Sequence, residues 1–341
     1  MTKEQKDNLF VLIKSLSKSE KRQFKLYVGR LGVNDDSKFL LLFNILDKLS
    51  NYDEGVILKK GIVKKQQLSN LKAHLYKQIL ISLRLNPSHQ NIRIQIREQL
   101  DFATILYHKG LYKQSLKILD KAKSLAISNE EKNIAYEIVE LEKVIESQYI
   151  TRSISNRADE LTIQAKELSQ QNVLASKLSN LSLQLYGLFL KTGYVKNDKE
   201  AKRITKYFNE RLPKYDIKKL GFREKLWLYK AHLWYSFLTQ DFLSCYKYSS
   251  KWVRLFYDNK DQIVLNPVFF LKGNHYLLES LFYLRHYEKF KSSLHELESI
   301  TKEEWFPIDD NVEGLAFLYV YNNKFNLHFI EGSFSEGLPM V

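Results

Sequence analysis

The stretch LDFATILYHKGLYKQSLKILDKAKSL, residues 100–125, decides the fold. Its first half is an apolar run that ends at Lys109-Gly110, and a second periodic run begins two residues later. The apolar and small residues of the second run recur three and four positions apart, which is one face of an α-helix: Tyr112, Ser115, Leu116, Leu119, Ala122 and Ala126. The stretch therefore predicts two helices joined by a tight turn.

The same pattern returns along the chain. Comparable turns are predicted near residues 110, 152, 193, 240, 285 and 332, which gives units of about 41–47 residues. Pro213, Pro267 and Pro307 fall between these turns, where proline suits a connection or the first turn of a helix. Each unit is thus predicted to consist of a helix, a tight turn, a second helix and a looser connection.

This pattern resembles the tetratricopeptide-repeat (TPR) family over roughly residues 95–341. A small residue follows the turn aromatic, as in that family, at Ser115, Ala201, Cys245 and Gly337. The chain departs from the family in three ways: the units are longer than its 34 residues, Gln240 and Arg285 replace the turn glycine, and Phe290 replaces a small residue. The resemblance implies an all-α, right-handed α-solenoid of antiparallel, TPR-like helix pairs, in a bacterial protein.

Residues 1–86 lie outside the period and are predicted to form a basic N-terminal helical bundle that caps the repeats at residues 87–341. Helices are expected at roughly 4–15, 20–31, 37–50 and 65–86. Residues 1–95 hold 18 Lys and Arg against 8 Asp and Glu, a net charge of +10 out of +14 for the chain. The candidate basic patch comprises Lys21, Arg22, Lys25, Lys59, Lys60, Lys64 and Lys65. It is either a solvated face or a contact surface for nucleic acid.

Motifs for chemistry are missing from the sequence. There is no His-Glu-x-x-His, no Gly-rich phosphate loop and only one cysteine, Cys245, so no disulfide can form within the chain. Cys245 lies on an apolar helical stripe and is interpreted as a packing residue. No stretch approaches the ~20 apolar residues of a membrane span. We therefore expect a cytoplasmic protein that is not an enzyme, has no cofactor or metal, and has no membrane contact.

Candidate binding residues come from the first helix of each predicted pair, because stacked pairs present these helices along one long surface. Residues 225–257 are rich in aromatic and basic side chains, which either fill the core or line a groove. The candidates for contacting a partner are Lys225, Tyr229, Lys230, Lys272, Asn274, His275, Tyr321 and Asn322.

The expected function is a non-catalytic scaffold that binds a peptide or helix of a partner protein in a concave groove. The alternative is a regulator, in which the repeats sense a peptide or other signal and the basic N-terminal bundle contacts DNA or a second protein. A small N-terminal helical bundle followed by repeats of this length resembles, in architecture only, bacterial peptide-sensing regulators, and the excess of basic residues in the N-terminal segment fits that interpretation.

The C-terminal stretch HFIEGSFSEGLPMV, residues 328–341, begins another turn and second helix but has only a few residues left to complete it. The preceding helix is apolar on nearly every side, which is typical of a buried helix. We expect either that the last repeat is incomplete, or that another chain covers this helix through self-association.

Overall fold

The computed structural model describes residues 7–32, 37–89, 91–148, 156–333 and 335, and over these ranges the chain is α-helical with no β-strand. The all-α prediction is confirmed. The turn expected near residue 152, and the small residue expected at Gly337, lie outside the described residues. Contacts divide the chain into two compact units, residues 1–95 and 96–341, which are described separately below.

The first unit is a set of short helices. They are α1 (Asn8–Ser15), α2 (Lys18–Arg30), α3 (Lys38–Lys48), α4 (Glu54–Lys59) and α5 (Lys65–Arg84), followed by a 3-10 turn at Pro87–His89. Helix α5 packs against α1, α2 and α3, and Phe24 of α2 meets Phe43 of α3 with ring centroids 4.8 Å apart. The start of α2 is fixed by a capping box between Ser17 and Glu20. The short α4 was not expected from the sequence.

The remaining helices follow in sequence. They are α6 (Ile92–His108), α7 (Tyr112–Ser128), α8 (Lys132–Gln148), α9 (Arg157–Thr192), α10 (Asp198–Arg211), α11 (Phe222–Leu238), α12 (Phe242–Tyr257), α13 (Asp261–Leu265), α14 (Pro267–Tyr283), α15 (Tyr287–Thr301) and α16 (Asp310–Glu331), with a 3-10 turn at Ile217–Lys219. Successive helices of the second unit contact one another from α7 to α16, an arrangement compatible with a helical repeat.

Four turns that each join two described helices use the same backbone geometry. In each, one residue has a positive φ, and the next N–H donates to a carbonyl oxygen five residues earlier, as in a Schellman motif. The bonds are Leu111 to Leu106 (2.9 Å), Glu131 to Ala126 (2.8 Å), Asp241 to Ser236 (2.9 Å) and His286 to Leu281 (3.0 Å). The turns predicted near residues 110, 240 and 285 are confirmed, whereas the turn at Glu130 was not predicted. The turn predicted near residue 332 is also confirmed, since Gly332 has φ +70° and the Ser333 N–H donates to the His328 carbonyl (3.1 Å).

The left-handed residue is a glycine in only one of these four turns. Gly110 has φ +73°, and Glu130, Gln240 and Arg285 hold φ values of 61°, 58° and 55°. Such values are uncommon for residues with a side chain, so the surrounding packing must enforce them. The chain therefore repeats the helix pair and its turn geometry, but it does not repeat a glycine at the turn.

Helix α9 departs from the predicted unit. A looser connection was expected between the turns near residues 152 and 193, but α9 runs unbroken from Arg157 to Thr192, 36 residues or about 54 Å. The stretch contains no proline, and Gly187 is its only glycine, so nothing in it forces a break. Asn172, near its middle, donates to the Lys132 carbonyl of α8 (3.2 Å) and accepts from Arg223 of α11 (3.3 Å).

Helices α9, α11 and α14 run in the same direction. Asn172 and Tyr186 of α9 meet Arg223 and Trp234 of α11 in the same order along the chain. Trp227 and Trp234 of α11 likewise meet Phe269 and Tyr276 of α14. Each of the three is the helix that precedes a predicted turn, so the first helices of successive units form one layer.

A buried ion pair fixes the start of α11. Lys132 at the start of α8 lies 3.2 Å from Glu224 and 3.0 Å from Glu130, and both Lys132 and Glu224 are buried. Gly221, the residue before α11, passes so close that an added Cβ would lie 2.4 Å from the Lys132 amino group. The missing side chain at residue 221 thus leaves room for this pair.

Candidate functional site

A cleft opens on the layer formed by α9, α11 and α14, and we call it the Lys230–Lys272 cleft. Its volume is about 340 Å³, within the range of ligand pockets. Each helix contributes residues from one stripe, because they recur three or four positions apart: Ser179, Asn180, Ser182, Leu183 and Tyr186 from α9, Trp227, Lys230 and Trp234 from α11, and Lys272 and Tyr276 from α14.

Aromatic rings hold the amino group of Lys230. Its Nζ lies 4.2 Å from the ring centre of Trp227, 4.8 Å from that of Phe269 and 5.5 Å from that of Trp252. These distances are within the range of cation–π attraction. Trp252 is fully buried and packs against the backbone of Gly273, where an added Cβ would lie 2.9 Å from the indole. The rings are therefore fixed by the core, and they fix the position of the amine.

A second aromatic group forms the other wall of the cleft. Trp234 lies between Tyr186 and Tyr276, with ring centroids 4.6 Å and 5.3 Å apart. Tyr186 is 37% exposed, whereas Trp234 is only 7% exposed. The rings are inclined to one another, by 46° and 76°, so the wall is an apolar aromatic surface that a ring could contact edge-on or face-on from the open side.

No counter-ion accompanies the two lysines of the cleft. Within the described part of the chain, no carboxylate lies at ion-pair distance from Lys230 or Lys272. Burial, and to a lesser extent the charge of Lys272, lower the pKa of Lys230 to about 8. By contrast, the buried amines of Lys123 and Lys132 are paired with Glu142 and Glu224.

Of the eight residues predicted to contact a partner, the structure brings Lys230 and Lys272 together in this cleft. It buries Asn274 and His275, which are 3% and 9% exposed. Asn274 donates to the Phe270 carbonyl (3.0 Å), and His275 stacks on Tyr319 of α16, with ring centroids 4.4 Å apart. Because α12, α15 and α16 all pack around α14, this helix has little open surface.

The other four predicted residues lie elsewhere. Lys225 and Tyr229 are half-buried on α11. They are four residues apart and so share one face of the helix, which is opposite to the face of Trp227 and Lys230 that lines the cleft. Tyr321 and Asn322 are exposed on α16.

Sequence reasoning missed the contribution of α9. Ser179, Asn180, Ser182, Leu183 and Tyr186 lie in a stretch whose helical pattern shows no excess of aromatic or basic residues. Their spacing does mark one face of a helix, but only the neighbouring helices show that this face borders α11. Trp227 and Trp234 belong to the aromatic run already noted, whereas Tyr276 was not singled out.

The basic patch of the first unit falls into two groups. On α2, Lys21 pairs with Asp47 (2.8 Å), the Lys25 amine lies 5.8 Å from the ring centre of Phe43, and Arg22 is exposed. The second group, Lys59, Lys60, Lys64 and Lys65, is exposed around the turn between α4 and α5.

Outside the cleft, the cysteine, histidine and glutamate side chains of Cys245, His275 and Glu279 are packed among other helices. Cys245 is fully buried, and burial raises the pKa of its thiol, which agrees with its interpretation as a packing residue. The His275 Nε2 lies 3.5 Å from Glu279, but burial lowers the pKa of His275 to about 4 and raises that of Glu279 to about 7. His275 is therefore neutral at pH 7, and this contact is not a salt bridge.

Two classes of site find no support in the structure. No group of three or more His, Cys, Asp and Glu residues placed to hold a metal occurs in the described ranges. Among the described helices, none has both the length and the apolar content that crossing a membrane requires.

A second groove lies between α9 and α10, with a volume of about 540 Å³. Its lining is mostly apolar, with Lys191 and Arg203 at its rim. It lacks the aromatic walls of the Lys230–Lys272 cleft, so it offers fewer contacts that would fix a ligand in one orientation.

Comparison with protein-family models, with curated proteins and with solved structures gives no match for this chain. The function must therefore be argued from the geometry of the cleft.

Proposed function

We propose that this protein is a non-catalytic scaffold that binds an acidic segment of a partner protein at the Lys230–Lys272 cleft. The observation that carries the proposal is the pair of lysines without a counter-ion between aromatic walls. Partly buried cations gain from a carboxylate, and aromatic side chains supply much of the energy at binding hot spots. The other lining residues that the structure describes carry hydroxyl, amide, aliphatic and aromatic groups, with no carboxylate, imidazole or thiol beside the lysines.

The proposal includes the finer architecture that the sequence suggests, a right-handed solenoid of TPR-like pairs in a cytoplasmic, bacterial protein. The parallel layer of α9, α11 and α14 supports it, since first helices line the binding surface in such arrays. The turn geometry shared by four helix pairs supports it as well.

The test is selection of peptides from a random display library by the full chain. We expect enrichment of peptides with Asp or Glu next to an aromatic or aliphatic residue, and loss of their binding to a Lys230→Met/Lys272→Met variant. The matched control is Lys199→Met/Lys202→Met, which removes the same charge from exposed positions on α10. Affinities can be measured by fluorescence anisotropy.

The outcomes separate the candidate surfaces. Acidic peptides that bind the cleft variant as well as the unchanged protein would overturn the proposal. Loss of binding in a Lys191→Met/Arg203→Met variant instead would assign the partner to the groove between α9 and α10. Selected peptides without acidic residues would also contradict it, since the two lysines would then have no role.

The second candidate is a regulator whose basic N-terminal unit contacts DNA or a second protein. The specific observation is that Lys59, Lys60, Lys64 and Lys65 are all exposed around one turn, and that the first turn of α5 contains no acidic residue. Each lysine that neutralises a phosphate should add to the salt dependence of binding. We expect Lys60→Glu/Lys64→Glu/Lys65→Glu to abolish a low-salt shift of duplex DNA by the full chain. No shift with the unchanged protein would remove DNA as the partner.

A further inference from the structure

The two lysines of the cleft point to the kind of group that belongs there. Elsewhere in unit 2, the described buried lysines Lys123 and Lys132 are each matched by a buried carboxylate. Lys230 and Lys272 share a cleft and repel each other, and Lys230 is partly desolvated. A negative charge placed between them would relieve both costs, so an anion is the missing component of this site.

The position of the anion is set by the rings around Lys230. Its amine cannot swing away without losing contact with Trp227, Phe269 and Trp252. A preorganised cation of this kind binds an anion with little loss of side-chain entropy. Asn180 and Ser182 line the same cleft with amide and hydroxyl groups that can donate to a carboxylate, whereas the Ser179 hydroxyl donates to the Ser176 carbonyl (2.9 Å).

The volume of the cleft and its second aromatic wall indicate which chemical group carries the anion. A volume of about 340 Å³ is at the small end for ligand pockets, and holds one side chain rather than a helix. Tyr186, Trp234 and Tyr276 present an apolar wall of mutually inclined rings, against which a further aromatic ring can pack edge-to-face.

We infer that the Lys230–Lys272 cleft binds the C-terminal carboxylate of a partner peptide that ends in an aromatic residue. The carboxylate lies between the two amines and the terminal ring lies against the wall of Tyr186, Trp234 and Tyr276. The inference rests on the proposed scaffold function for the source of the carboxylate, and it narrows the acidic segment to one terminal group.

Binding is coupled to a proton. The pKa of free Lys230 is about 8, and a carboxylate beside the amine raises it. At pH 8 to 9 the peptide therefore binds together with a proton, and its affinity falls as the pH rises above 8. Below pH 7, Lys230 is already protonated and the affinity changes little with pH.

The experiment compares matched probes with the full chain by isothermal titration calorimetry. The probes are acetyl-Ala-Ala-Phe with a free C-terminus, the same peptide with a C-terminal amide, and phenylacetate as a small aromatic acid. We expect the free acid to bind at least tenfold more tightly than the amide, and more tightly than phenylacetate. At pH 8.5, two buffers of different ionisation enthalpy should reveal proton uptake.

Variants assign the effect to the cleft. Lys230→Met and Lys272→Met should each remove the preference for the acid over the amide, while Lys199→Met on α10 should keep it. The Lys230→Met protein should also lose proton uptake. Circular dichroism checks that each variant remains folded, and Lys230→Arg, which keeps the charge, should bind the acid without taking up a proton.

Several results would overturn the inference. Equal affinity for acid and amide, no binding of the acid at 10 mM, or a preference that survives Lys230→Met would each do so. Tighter binding of phenylacetate than of the peptide acid would assign the site to a small aromatic acid instead. If acidic peptides from the library bind the cleft while acid and amide termini bind alike, the scaffold proposal stands and this inference fails.

Discussion

At the residue scale, Lys230 lies in an environment that disfavours its charged form. Burial and the neighbouring Lys272 disfavour its ammonium form, while three aromatic rings favour it. Burial and Lys272 together lower the pKa to about 8 from the usual 10.5. Lys230 therefore opposes folding at neutral pH, as expected of a residue kept for binding rather than for stability.

We expect Lys230→Met to raise the free energy of unfolding at pH 7 by on the order of 1 kcal/mol. The folded pKa of Lys230 lies below the unfolded one, so its cost is complete below pH 8 and fades as the pH rises toward 10.5. The advantage of methionine should shrink accordingly, as measured by urea denaturation at pH 7 and pH 9.5. Lys206→Met, at a side chain 76% exposed, is the control. A less stable methionine variant at pH 7 would mean that the ring contacts outweigh the burial.

The turn at Arg285 offers a second test at this scale. Arg285 is exposed and has φ 55°, a conformation that glycine adopts without strain. We expect Arg285→Gly to stabilise the protein by about 0.5–1 kcal/mol, because relief of strain exceeds the added freedom of the unfolded chain. The urea midpoint measures this. Arg285→Ala keeps the strain and should change little, and equal effects of the two substitutions would show that the turn is not strained.

Which single residues could be predicted depends on how local their environment is. The turns at Gly110, Gln240 and Arg285 follow from the residues on either side, so the sequence pattern locates them. Asn274 and His275 also lie on the expected first helix, yet both are buried. Tyr319 and Asn323, more than 40 residues away along the chain, pack on His275. No pattern within α14 reports that contact.

At the scale of helices, one ion network joins α7, α8 and α9. Glu142 is fully buried on α8, and lies 2.6 Å from Lys123 of α7 and 3.1 Å from Arg157 of α9. Two cations on one carboxylate explain how a charged group can lie between three helices. The network holds the beginning of α9 against the end of α8.

We expect Glu142→Ala to destabilise the protein by about 3–5 kcal/mol, because it leaves the buried Lys123 only the exposed and more distant Asp120 carboxylate, 3.6 Å away. Glu140→Ala is a matched control on the same helix. Glu140 lies 2.7 Å from Lys143, but both side chains are about 40% exposed, and its loss should cost about 0–1 kcal/mol. Thermal unfolding followed by circular dichroism measures both. Similar melting temperatures for the two variants would show that the buried network contributes no more than a surface pair.

Helices were easier to predict than the way they connect. The periodicity marks α7, and proline marks the start of α14. The chain between the turns near residues 152 and 193 was divided into two helices because the neighbouring units were. Nothing in its composition requires that break, and the contacts of its two halves with α8 and α11 are non-local.

At the scale of the whole molecule, the second unit is a row of helices in which most contacts join neighbours. Arrays of this kind can lose their units one at a time, because each unit depends only on those beside it. The 36-residue α9 changes that expectation, since its first half contacts α8 and its second half contacts α11. Melting either half of the helix exposes the core of both neighbours.

Helix α9 should therefore make unfolding of the second unit cooperative. Val173, at the middle of α9 and 51% exposed, is the place to test this, because proline there removes a backbone hydrogen bond and clashes with the preceding turn, at about 3 kcal/mol. We expect Val173→Pro to split one urea transition into two, each with a smaller dependence on denaturant. Val173→Ala should keep a single transition. A continuous helix would thus let distant parts of a modular array fold and unfold as one cooperative unit. A single transition in the proline variant would show that the cooperativity does not come from the continuity of α9.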